Sequence, residues 1–560
     1  MGQGEAAQVR KSHHVSAFGR MGAVFLYHDL YGFILEMSPD VLGFLDAFTE
    51  PAVIDQVCPA WADRFEGADP RGFADVFLQF RCLVQPDVDE ISGIWDHVPL
   101  QSRWNVWRRE DDGGLTLFTA WGDRPVTTHR LSPEEARLFD SFDGEHPLAE
   151  RVDDGYQPTT VERLVARLAH HDVQAIKLSP VPLSAYGGRR DLIPPYLTST
   201  MPYEKYVPGG TPSPVGEGGG LSPAGYYREV GDARAQFDEV ETTLSHLFRV
   251  PHPALGGRTY GQALVDHLAA RELLPIERIR VLEVGAGLGF VAQAVHAALR
   301  ARGLEVDYEI VELSPALAAA QRERLAGLGV RWREGDILEL ELPQGAYDLI
   351  VSNEMIGDLP AIQLTHEQAG IGADPPTQAA CLEALGEPGR LAAALKLELG
   401  DAPDPFYLTW GAYAFLERAA SALAAGGTLF VSEFGDLGRH SRLSTHLDHP
   451  ELSIHFGLYA DAARALGLEA EVEFVMDLLD MHRDLEGLAT TRSYFRALTA
   501  MLADSGVALE KIGYTRKMFH QLLDGKVDPT RIGELHFDKI EDRLMGLVPH
   551  EFKALVARRR

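Results

Sequence analysis

Three glycines and an acid stand where a cofactor could be held. Gly285, Gly287 and Gly289 lie between an apolar, strand-like run at 280–284 and a helix-like run, and Glu312 ends the next strand-like run. Glycines at such a turn let the backbone approach a ligand, and an acid at that second position accepts hydrogen bonds from ribose hydroxyls. The spacing predicts a nucleotide-cofactor site on a doubly wound α/β sheet, although a purely structural turn also favours glycine.

Polar residues also follow three later strand-like runs. Asp336 and Ile337 come after a third short strand and are placed to meet an adenine. Asn353 and Glu354 end a fourth strand, and Glu433 ends a fifth. Because open α/β sheets bind ligands at the carboxyl ends of their strands, these side chains are predicted to share one edge.

Glu283 precedes the glycines, so that the turn reads Glu-x-Gly-x-Gly-x-Gly. This pattern resembles the first motif of class I S-adenosylmethionine-dependent methyltransferases more closely than a dinucleotide fingerprint, in which the first glycine directly follows an apolar strand. The resemblance implies a Rossmann-like α/β sheet and S-adenosylmethionine as cofactor. It assigns cofactor binding to Glu283, Gly285, Gly287, Gly289, Glu312, Leu313, Asp336, Ile337 and Asn353.

From residue 226 to the C-terminus, the chain resembles the MidA-like family, which includes the mitochondrial complex I assembly factor that methylates a protein arginine. Residues 311–321 are close to that family's Val-Glu-x-Ser-Pro-x-Leu-x-x-x-Gln signature, and residues 353–360 are similar to its Asn-Glu-x-x-Asp-Ala-Leu-Pro. Gly357 replaces the expected aspartate, and Asp358 stands one place later. The resemblance implies a protein or peptide substrate, with arginine N-methylation as the foremost reaction.

Methyl transfer to nitrogen requires a lone pair held about 3 Å from the methyl carbon and the loss of a proton. Arginine stays protonated near neutral pH, so carboxylates are expected to orient it and accept the proton. Glu354 is the first catalytic candidate, followed by Asp358 and Glu433. His455, in a stretch similar to the family's Asp-Leu-Thr-Ala-His, is a further candidate base. Structural roles, such as an acid at a helix start, remain alternatives for all four.

An insert at about 360–410, between the fourth and fifth strands, carries aromatic residues that could bind a cation through their ring faces. These substrate-binding candidates are Phe406, Tyr407 and Trp410. At helical spacing they are equally expected in a core. No metal is expected, because His446, His449 and His455 have no cysteines or paired acids to complete a ligand set.

Composition bounds the class of protein. A chain of 560 residues is too long for one core, so about two to four domains are expected. The formal net charge of −30 argues against nucleic-acid binding and suits a basic peptide partner, though acidity also serves solubility. The absence of a long apolar run or a signal-peptide core predicts a protein without membrane spans, and scattered cysteines favour the cytoplasm.

An internal repeat dominates the first third of the chain. The segment 37–48 matches 131–142, and each begins with a Ser-Pro pair in which the serine caps a helix and the proline takes its first position. A strand-rich stretch precedes each pair, and amphipathic helices follow at 73–80 and 161–168. The repeat predicts two small α+β winged-helix-like modules, at residues 13–95 and 100–180.

These modules resemble the PqqD-like domains that recognise leader peptides in ribosomal peptide maturation. Such domains bind an extended leader by adding it to a sheet edge, which implies a precursor peptide as partner. Contact within a homodimer is an alternative role. Residues 181–225 are rich in proline, glycine and serine and predict a flexible connector to a methyltransferase domain at 226–560.

Three hypotheses follow for the whole chain. The first is an enzyme that methylates a peptide or protein side chain, foremost arginine, with its N-terminal modules recognising the leader. The second is a methyltransferase of small molecules or of oxygen atoms, whose modules hold a dimer or a carrier protein. The third is a non-catalytic assembly factor, which the intact Glu283, glycine turn and Glu312 disfavour.

Overall fold

The computed structural model divides the chain into two compact units. The first unit comprises Met1–Ser213, Arg492–Leu509 and Leu522–Leu535, and the second comprises Pro214–Thr491, Glu510–Gln521 and His536–Arg560. The structure describes residues 7–20, 23–31, 34–65, 68–102, 105–111, 114–120, 125–170, 172–187, 204–205, 220–234, 237, 243–446, 449–489, 491–543 and 549–560.

The first copy of the repeat begins with a strand that pairs with its last strand. Its elements are β1 (Gln8–Lys11), β2 (Val15–Arg20), β3 (Ala23–His28), β4 (Ile34–Met37), α1 (Pro39–Asp46), β5 (Ala52–Val53), α2 (Ile54–Val57), α3 (Pro70–Gln79) and β6 (Leu83–Val84). Strand β1 pairs with β5 and β6, and β2, β3 and β4 form an antiparallel meander. Because β1 belongs to this copy, the copy starts earlier than residue 13, where the sequence places its boundary.

The second copy has the same arrangement. Its elements are β7 (Val98–Gln101), β8 (Val106–Asp111), β9 (Gly114–Thr119), β10 (Thr127–Leu131), α4 (Pro133–Asp140), α5 (Leu148–Asp153), α6 (Pro158–Ala169) and β11 (Ile176–Ser179). Strand β7 pairs with β11, and β8, β9 and β10 form the meander. Ser132 and Glu135 form a capping box at α4, and Ser38 caps α1. Leu30 of the first copy is buried in the core of the second, so the copies share hydrophobic packing.

The predicted connector is not wholly irregular. Residues 188–203 and 206–219, which make up most of the predicted connector, lie outside the described part of the chain. Between them, β12 (Glu204–Lys205) pairs antiparallel with β2 and occupies that edge of the first meander.

The second unit is built on one mixed sheet. The strands of this unit are β13 (Gly220–Leu221), β14 (Arg278–Val284), β15 (Glu305–Glu312), β16 (Arg331–Glu334), β17 (Tyr347–Asn353), β18 (Ala361–Leu364), β19 (Phe406–Leu408), β20 (Leu423–Asp436), β21 (Leu443–His446), β22 (His449–Leu452), β23 (Ile454–His455), β24 (Leu468–Phe474), β25 (Glu486–Leu488), β26 (Phe537–Lys539) and β27 (Phe552–Arg559). Three smaller sheets, β13-β18-β19, β21-β22 and β25-β26, are separate from the main one. The main order is β16-β15-β14-β17-β20-β27-β24, in which the first five strands are parallel and β27 runs antiparallel to both neighbours.

Helices cover both faces of this sheet. The helices from residue 224 onward are α7 (Ala224–Glu229), α8 (Leu244–Leu247), α9 (Tyr260–Ala270), α10 (Phe290–Ala301), α11 (Pro315–Arg324), α12 (His366–Ala369), α13 (Pro375–Ala384), α14 (Glu387–Ala394), α15 (Trp410–Ala422), α16 (Phe456–Ala465), α17 (Val475–Leu478), α18 (Arg492–Leu502), α19 (Arg516–Leu523) and α20 (Ile540–Arg543), of which α18 belongs to the first unit. Val281 packs with α9 and α10, whereas its neighbour Leu282 packs with α15 and α16. Burial on both faces explains the continuous apolar runs of the parallel strands.

Two segments near the end of the chain belong to the first unit, although the sequence assigns all of 226–560 to one domain. Helix α18 packs on the second meander, where the rings of Tyr494 and Trp107 meet edge to face with centroids 4.8 Å apart. Arg109 donates a hydrogen bond to the carbonyl oxygen of Met501 at 2.5 Å. Ile532 forms an isolated antiparallel bridge with Arg109 at the β8 edge.

Candidate active site

One cavity of the second unit lies at the carboxyl ends of β14, β15 and β17. Its wall includes the glycine turn, the acids that end two strands, and residues of the segment 224–246. The lining residues are Ala224, Tyr227, Phe237, Thr243, Ser245, His246, Glu283, Val284, Gly285, Ala286, Gly287, Leu288, Phe290, Val291, Val311, Glu312, Leu313, Leu317, Gly335, Asp336, Ile337, Asn353, Glu354, Met355, Asp358, Leu359, Pro360 and Glu451. All predicted cofactor residues except Gly289 are among them, and Gly289 caps α10 just behind.

The glycine turn must be tight and free of side chains. Gly285 has a φ of +70°, and a Cβ atom there would lie 2.6 Å from Cγ of Met355. Gly287 has a φ of +51° and no atom within 4 Å of its would-be Cβ. Gln321 donates from its side chain to the carbonyl oxygen of Gly287 at 2.8 Å, which ties the turn to α11.

The same Gln321 amide also positions Glu312. It donates to Oε2 at 2.8 Å, and the backbone N–H of Ser314 donates to Oε1 at 2.9 Å. Burial raises the pKa of Glu312 to about 7, against the lowering effect of these hydrogen bonds. A buried carboxylate in a cavity wall can accept further hydrogen bonds from a pair of hydroxyls, as a ribose would provide.

Glu283 is a second buried carboxylate in the wall. It accepts a hydrogen bond from the Tyr308 hydroxyl at 2.5 Å. Burial raises the pKa of Glu283 to about 7, and the charge of Glu312 raises it further, whereas the Tyr308 hydrogen bond opposes the rise. Two buried acids in one cavity wall suit a ligand that carries positive charge itself.

The third-strand residues form the other side of the cavity. Ile337 is buried, and Leu313 lies beside it in the wall. Asp336 accepts a hydrogen bond from the backbone N–H of Leu338 at 2.9 Å, and Arg228 approaches it at 3.5 Å. An apolar slot with an acid at its rim suits a planar heterocycle with an amino group.

Asn353 organises the end of the fourth strand. Its oxygen accepts from the Tyr260 hydroxyl at 2.6 Å and from the Ser432 hydroxyl at 2.7 Å, and its amide donates to Ser245 at 2.9 Å and to Glu354 at 3.1 Å. Glu354 has a φ of +52°, which is strained for a residue with a side chain. The strand end therefore holds Glu354 at the cavity wall in a conformation that the surrounding bonds maintain.

Asp358 lies on the same wall, within the short 3-10 helix Ile356–Asp358. One oxygen accepts from the Tyr227 hydroxyl at 2.5 Å, and the other is 2.8 Å from Nε2 of His449. Two of the predicted catalytic residues, Glu354 and Asp358, therefore line the cavity.

Two other catalytic candidates lie outside the cavity lining. Glu433 is buried and accepts from the backbone N–H of Gly357 at 3.0 Å. Burial and the charges of Glu451 and Asp358 raise the pKa of Glu433 well above its usual range, which favours the neutral acid. His455 caps α16 by accepting from the N–H of Leu458 at 3.2 Å.

The aromatic candidates also lie elsewhere. Phe406 is buried in the core of the second unit, and Trp410 starts α15 and packs against that core. Tyr407 packs in a smaller cluster around β18. None of the three lines the cavity. Phe406 and Tyr407 lie in β19, which pairs with β18, and Trp410 lies in the helix that follows.

Sequence reasoning missed several lining residues. Tyr227, Ser245, His246 and Glu451 come from segments distant in sequence from the strand ends. The adjacent tyrosines Tyr226 and Tyr227 could have indicated a functional segment, but the sequence around them does not show that this helix reaches the cavity.

The strand order and the site define the class of this domain. Five parallel strands followed by an antiparallel β27 inserted before β24 give the order third, second, first, fourth, fifth, seventh, sixth. Residues 262–448 match the model of a family described as "Putative S-adenosyl-L-methionine-dependent methyltransferase". The second unit thus contains a class I S-adenosylmethionine-dependent methyltransferase domain, and S-adenosylmethionine is its cofactor. The acids and the glycine turn fit that molecule, whose ribose and sulfonium supply hydroxyls and positive charge.

Three known proteins show how far the likeness extends. The release factor glutamine methyltransferase of Deinococcus radiodurans is 38% identical over 89 residues, which are 16% of this chain and 30% of that protein. A methyltransferase structure from Mesorhizobium loti is 14% identical with a TM-score of 0.24, covering 53% of this chain and 98% of that one. An uncharacterized superfamily protein from Burkholderia thailandensis is 18% identical with a TM-score of 0.32, covering 60% and 89%.

Within the described residues, no group of three or more histidines, cysteines and acids is arranged to hold a metal ion. No helix in the described part of the chain is both long and apolar enough to cross a membrane.

Proposed function

We propose that this enzyme transfers a methyl group from S-adenosylmethionine to a cationic side-chain nitrogen, foremost that of arginine, in a peptide or protein. The observation that carries the proposal is the acidity of the cavity wall beyond the glycine turn. Glu354, Asp358 and Glu451 all line it, and Tyr227 lies among them. Carboxylates bind a guanidinium in paired hydrogen bonds, and an aromatic face adds cation–π attraction.

The cofactor supplies a methyl group on a sulfonium, so that a nitrogen lone pair forms the N–C bond while the C–S electron pair stays on sulfur. The protein's part is to orient the acceptor and remove its proton. Glu354 is placed to orient the acceptor, since it accepts hydrogen bonds from the Asn353 amide and from the N–H of Ser245 at 3.4 Å.

We also propose that the second unit belongs to the MidA-like family. In support, the residues of the Val-Glu-x-Ser-Pro-x-Leu-x-x-x-Gln signature act together here. Glu312 receives hydrogen bonds from Ser314 and Gln321, and Gln321 also holds the glycine turn. The departure at Gly357 has a local reason, since a Cβ atom there would lie 2.7 Å from the carbonyl oxygen of Leu452.

The N-terminal modules are proposed to be PqqD-like and to recognise the leader of a precursor peptide. One edge of each meander already has a partner from the chain itself, β12 at β2 and Ile532 at β8. The opposite edges, β4 and β10, end their sheets among the described strands. An extended peptide added there would gain main-chain hydrogen bonds.

The test uses labelled S-adenosylmethionine with matched synthetic peptides that contain arginine, lysine or neither. We expect label on arginine nitrogen, located by mass spectrometry. Glu354→Gln should lower kcat by about 100-fold, as for loss of the carboxylate that orients the acceptor, and leave the affinity for the cofactor unchanged by calorimetry. Glu305→Gln, at the exposed start of β15, is the control. Label on oxygen or on small molecules alone would refute the proposed acceptor.

A further inference from the structure

A hydrogen-bonded cluster stands at the acidic wall of the cavity and is formed by Tyr227, Asp358 and His449. Both carboxylate oxygens of Asp358 are engaged, one by the Tyr227 hydroxyl at 2.5 Å and one by Nε2 of His449 at 2.8 Å. Nε2 of His449 is also 3.3 Å from the Tyr227 hydroxyl. Two groups from distant parts of the chain, Tyr227 and His449, therefore fix one carboxylate.

His449 is enclosed rather than placed to meet a substrate. It is 2% exposed and is absent from the cavity lining, whereas Asp358 and Tyr227 belong to the lining. The Tyr226 ring lies 4.5 Å from the imidazole, centroid to centroid, and the Tyr227 ring 5.2 Å. The imidazole can therefore act on the reaction through the lining groups that it contacts, Asp358 and Tyr227.

We propose that His449 is a positioning residue for methyl transfer, which holds the Asp358 carboxylate in the orientation that receives the proton leaving the acceptor nitrogen. The proposal rests on the proposed function, since it assigns the proton acceptor of that same site. The acceptor's N–H bond breaks, its electron pair remains on nitrogen, and the proton passes to an Asp358 oxygen. Tyr227 fixes the other oxygen, so the carboxylate cannot rotate away from the cavity.

The arrangement explains why Asp358 can stand one place later than the family pattern. The carboxylate reaches the wall from the 3-10 helix Ile356–Asp358, and Gly357 lets that helix pack against β22, which begins with His449. At its position one residue later, the Asp358 carboxylate needs a hydrogen-bond partner to fix its orientation, and His449 provides that partner.

The experiment is a double-mutant cycle with Asp358→Asn, His449→Gln and the double variant. Glutamine retains a hydrogen-bond donor but not the imidazole. We expect His449→Gln to lower kcat by about tenfold and Asp358→Asn by about 100-fold on an arginine peptide, with KM changed less than kcat. In the Asp358→Asn background, His449→Gln should then cost less than about twofold, because its partner is already lost.

Equal fold-losses from His449→Gln in both backgrounds, or an effect confined to cofactor affinity, would overturn the proposal. His440→Gln is the matched control, since His440 pairs with Asp401 at 3.0 Å outside the cavity lining. Tyr227→Phe, which removes only the second hydrogen bond to Asp358, provides a further variant if His449→Gln folds poorly, and it should lower kcat in the same non-additive way.

A readout without turnover separates the two proposals. The same cycle applied to chemical unfolding of the protein without cofactor should also be non-additive, because the pair interacts in the folded state. One outcome is that wild type methylates no peptide while the free energies of unfolding of the Asp358 and His449 variants are still non-additive. In that case the proposed acceptor is wrong, and the interaction between Asp358 and His449 is supported. If unfolding effects simply add, the positioning role is wrong whatever the acceptor.

Discussion

Glu283→Gln tests whether the buried carboxylate of Glu283 lowers the stability of the fold and at the same time strengthens cofactor binding. Glu283 is 1% exposed and accepts a hydrogen bond from Tyr308 at 2.5 Å. Glutamine keeps the size and one acceptor oxygen but cannot ionise. We therefore expect the variant to be more stable than wild type at alkaline pH and to bind S-adenosylmethionine more weakly.

The magnitude follows from the pKa of Glu283, which burial raises from 4.5 to about 7. A rise of that size corresponds to about 3 kcal/mol. Below pH 4.5 the group is protonated in both states, so it costs nothing. As pH rises from 4.5 to 7 the unfolded chain loses the proton while the folded state keeps it, and stability falls by that amount. Above pH 7 the loss is complete.

Differential scanning calorimetry at pH 5 and pH 8 measures the effect on the transition that shifts when S-adenosylmethionine is added. Glu283→Gln should raise its Tm at pH 8 by several degrees and much less at pH 5. Titration calorimetry should show weaker cofactor binding, and Glu305→Gln should match wild type in both assays. An advantage equal at both pH values, or none at pH 8, would contradict the assigned burial cost.

Two further predictions concern the glycine turn and the first unit. Gly285→Ala should unfold at a lower temperature than Gly287→Ala and lose cofactor binding in calorimetry, because only its Cβ would meet Met355, at 2.6 Å; equal losses would remove the steric argument. Lys177 is buried beside Gln174, and burial lowers its pKa from 10.5 to about 7. The unfolded state therefore binds more protons between pH 7 and 10.5, so the thermal stability of the first unit should rise with pH in that window. Lys177→Met should flatten this rise, and an unchanged slope would refute the reasoning.

The parallel strands and the cofactor residues could be predicted because they depend on local pattern. The apolar run that ends at Val284 is buried on both faces and leads directly into the glycine turn. Glu312 ends the next strand, as the spacing predicts. Ser38 and Ser132 cap helices for the same local reason.

The part of the site that would bind the methyl acceptor could not be predicted in the same way, because it depends on where each side chain points as well as on its residue type. Ser432 bonds to Asn353 beside the cavity, and the alternation of side chains along a strand sends the next residue, Glu433, to Gly357 instead. His455 has a residue type suited to catalysis, but its position at the start of α16 makes it a cap. Tyr227 reaches Asp358 across 131 residues of sequence, a contact that no local pattern records.

The return of Arg492–Leu509 and Leu522–Leu535 to the first unit has a consequence for biosynthesis. A ribosome releases the tandem repeat early, yet the helix that packs against Trp107 is translated almost four hundred residues later. Until then the second meander lacks its covering helix and exposes an aromatic surface. The second meander therefore reaches its native packing only after synthesis has passed the helix Arg492–Leu502.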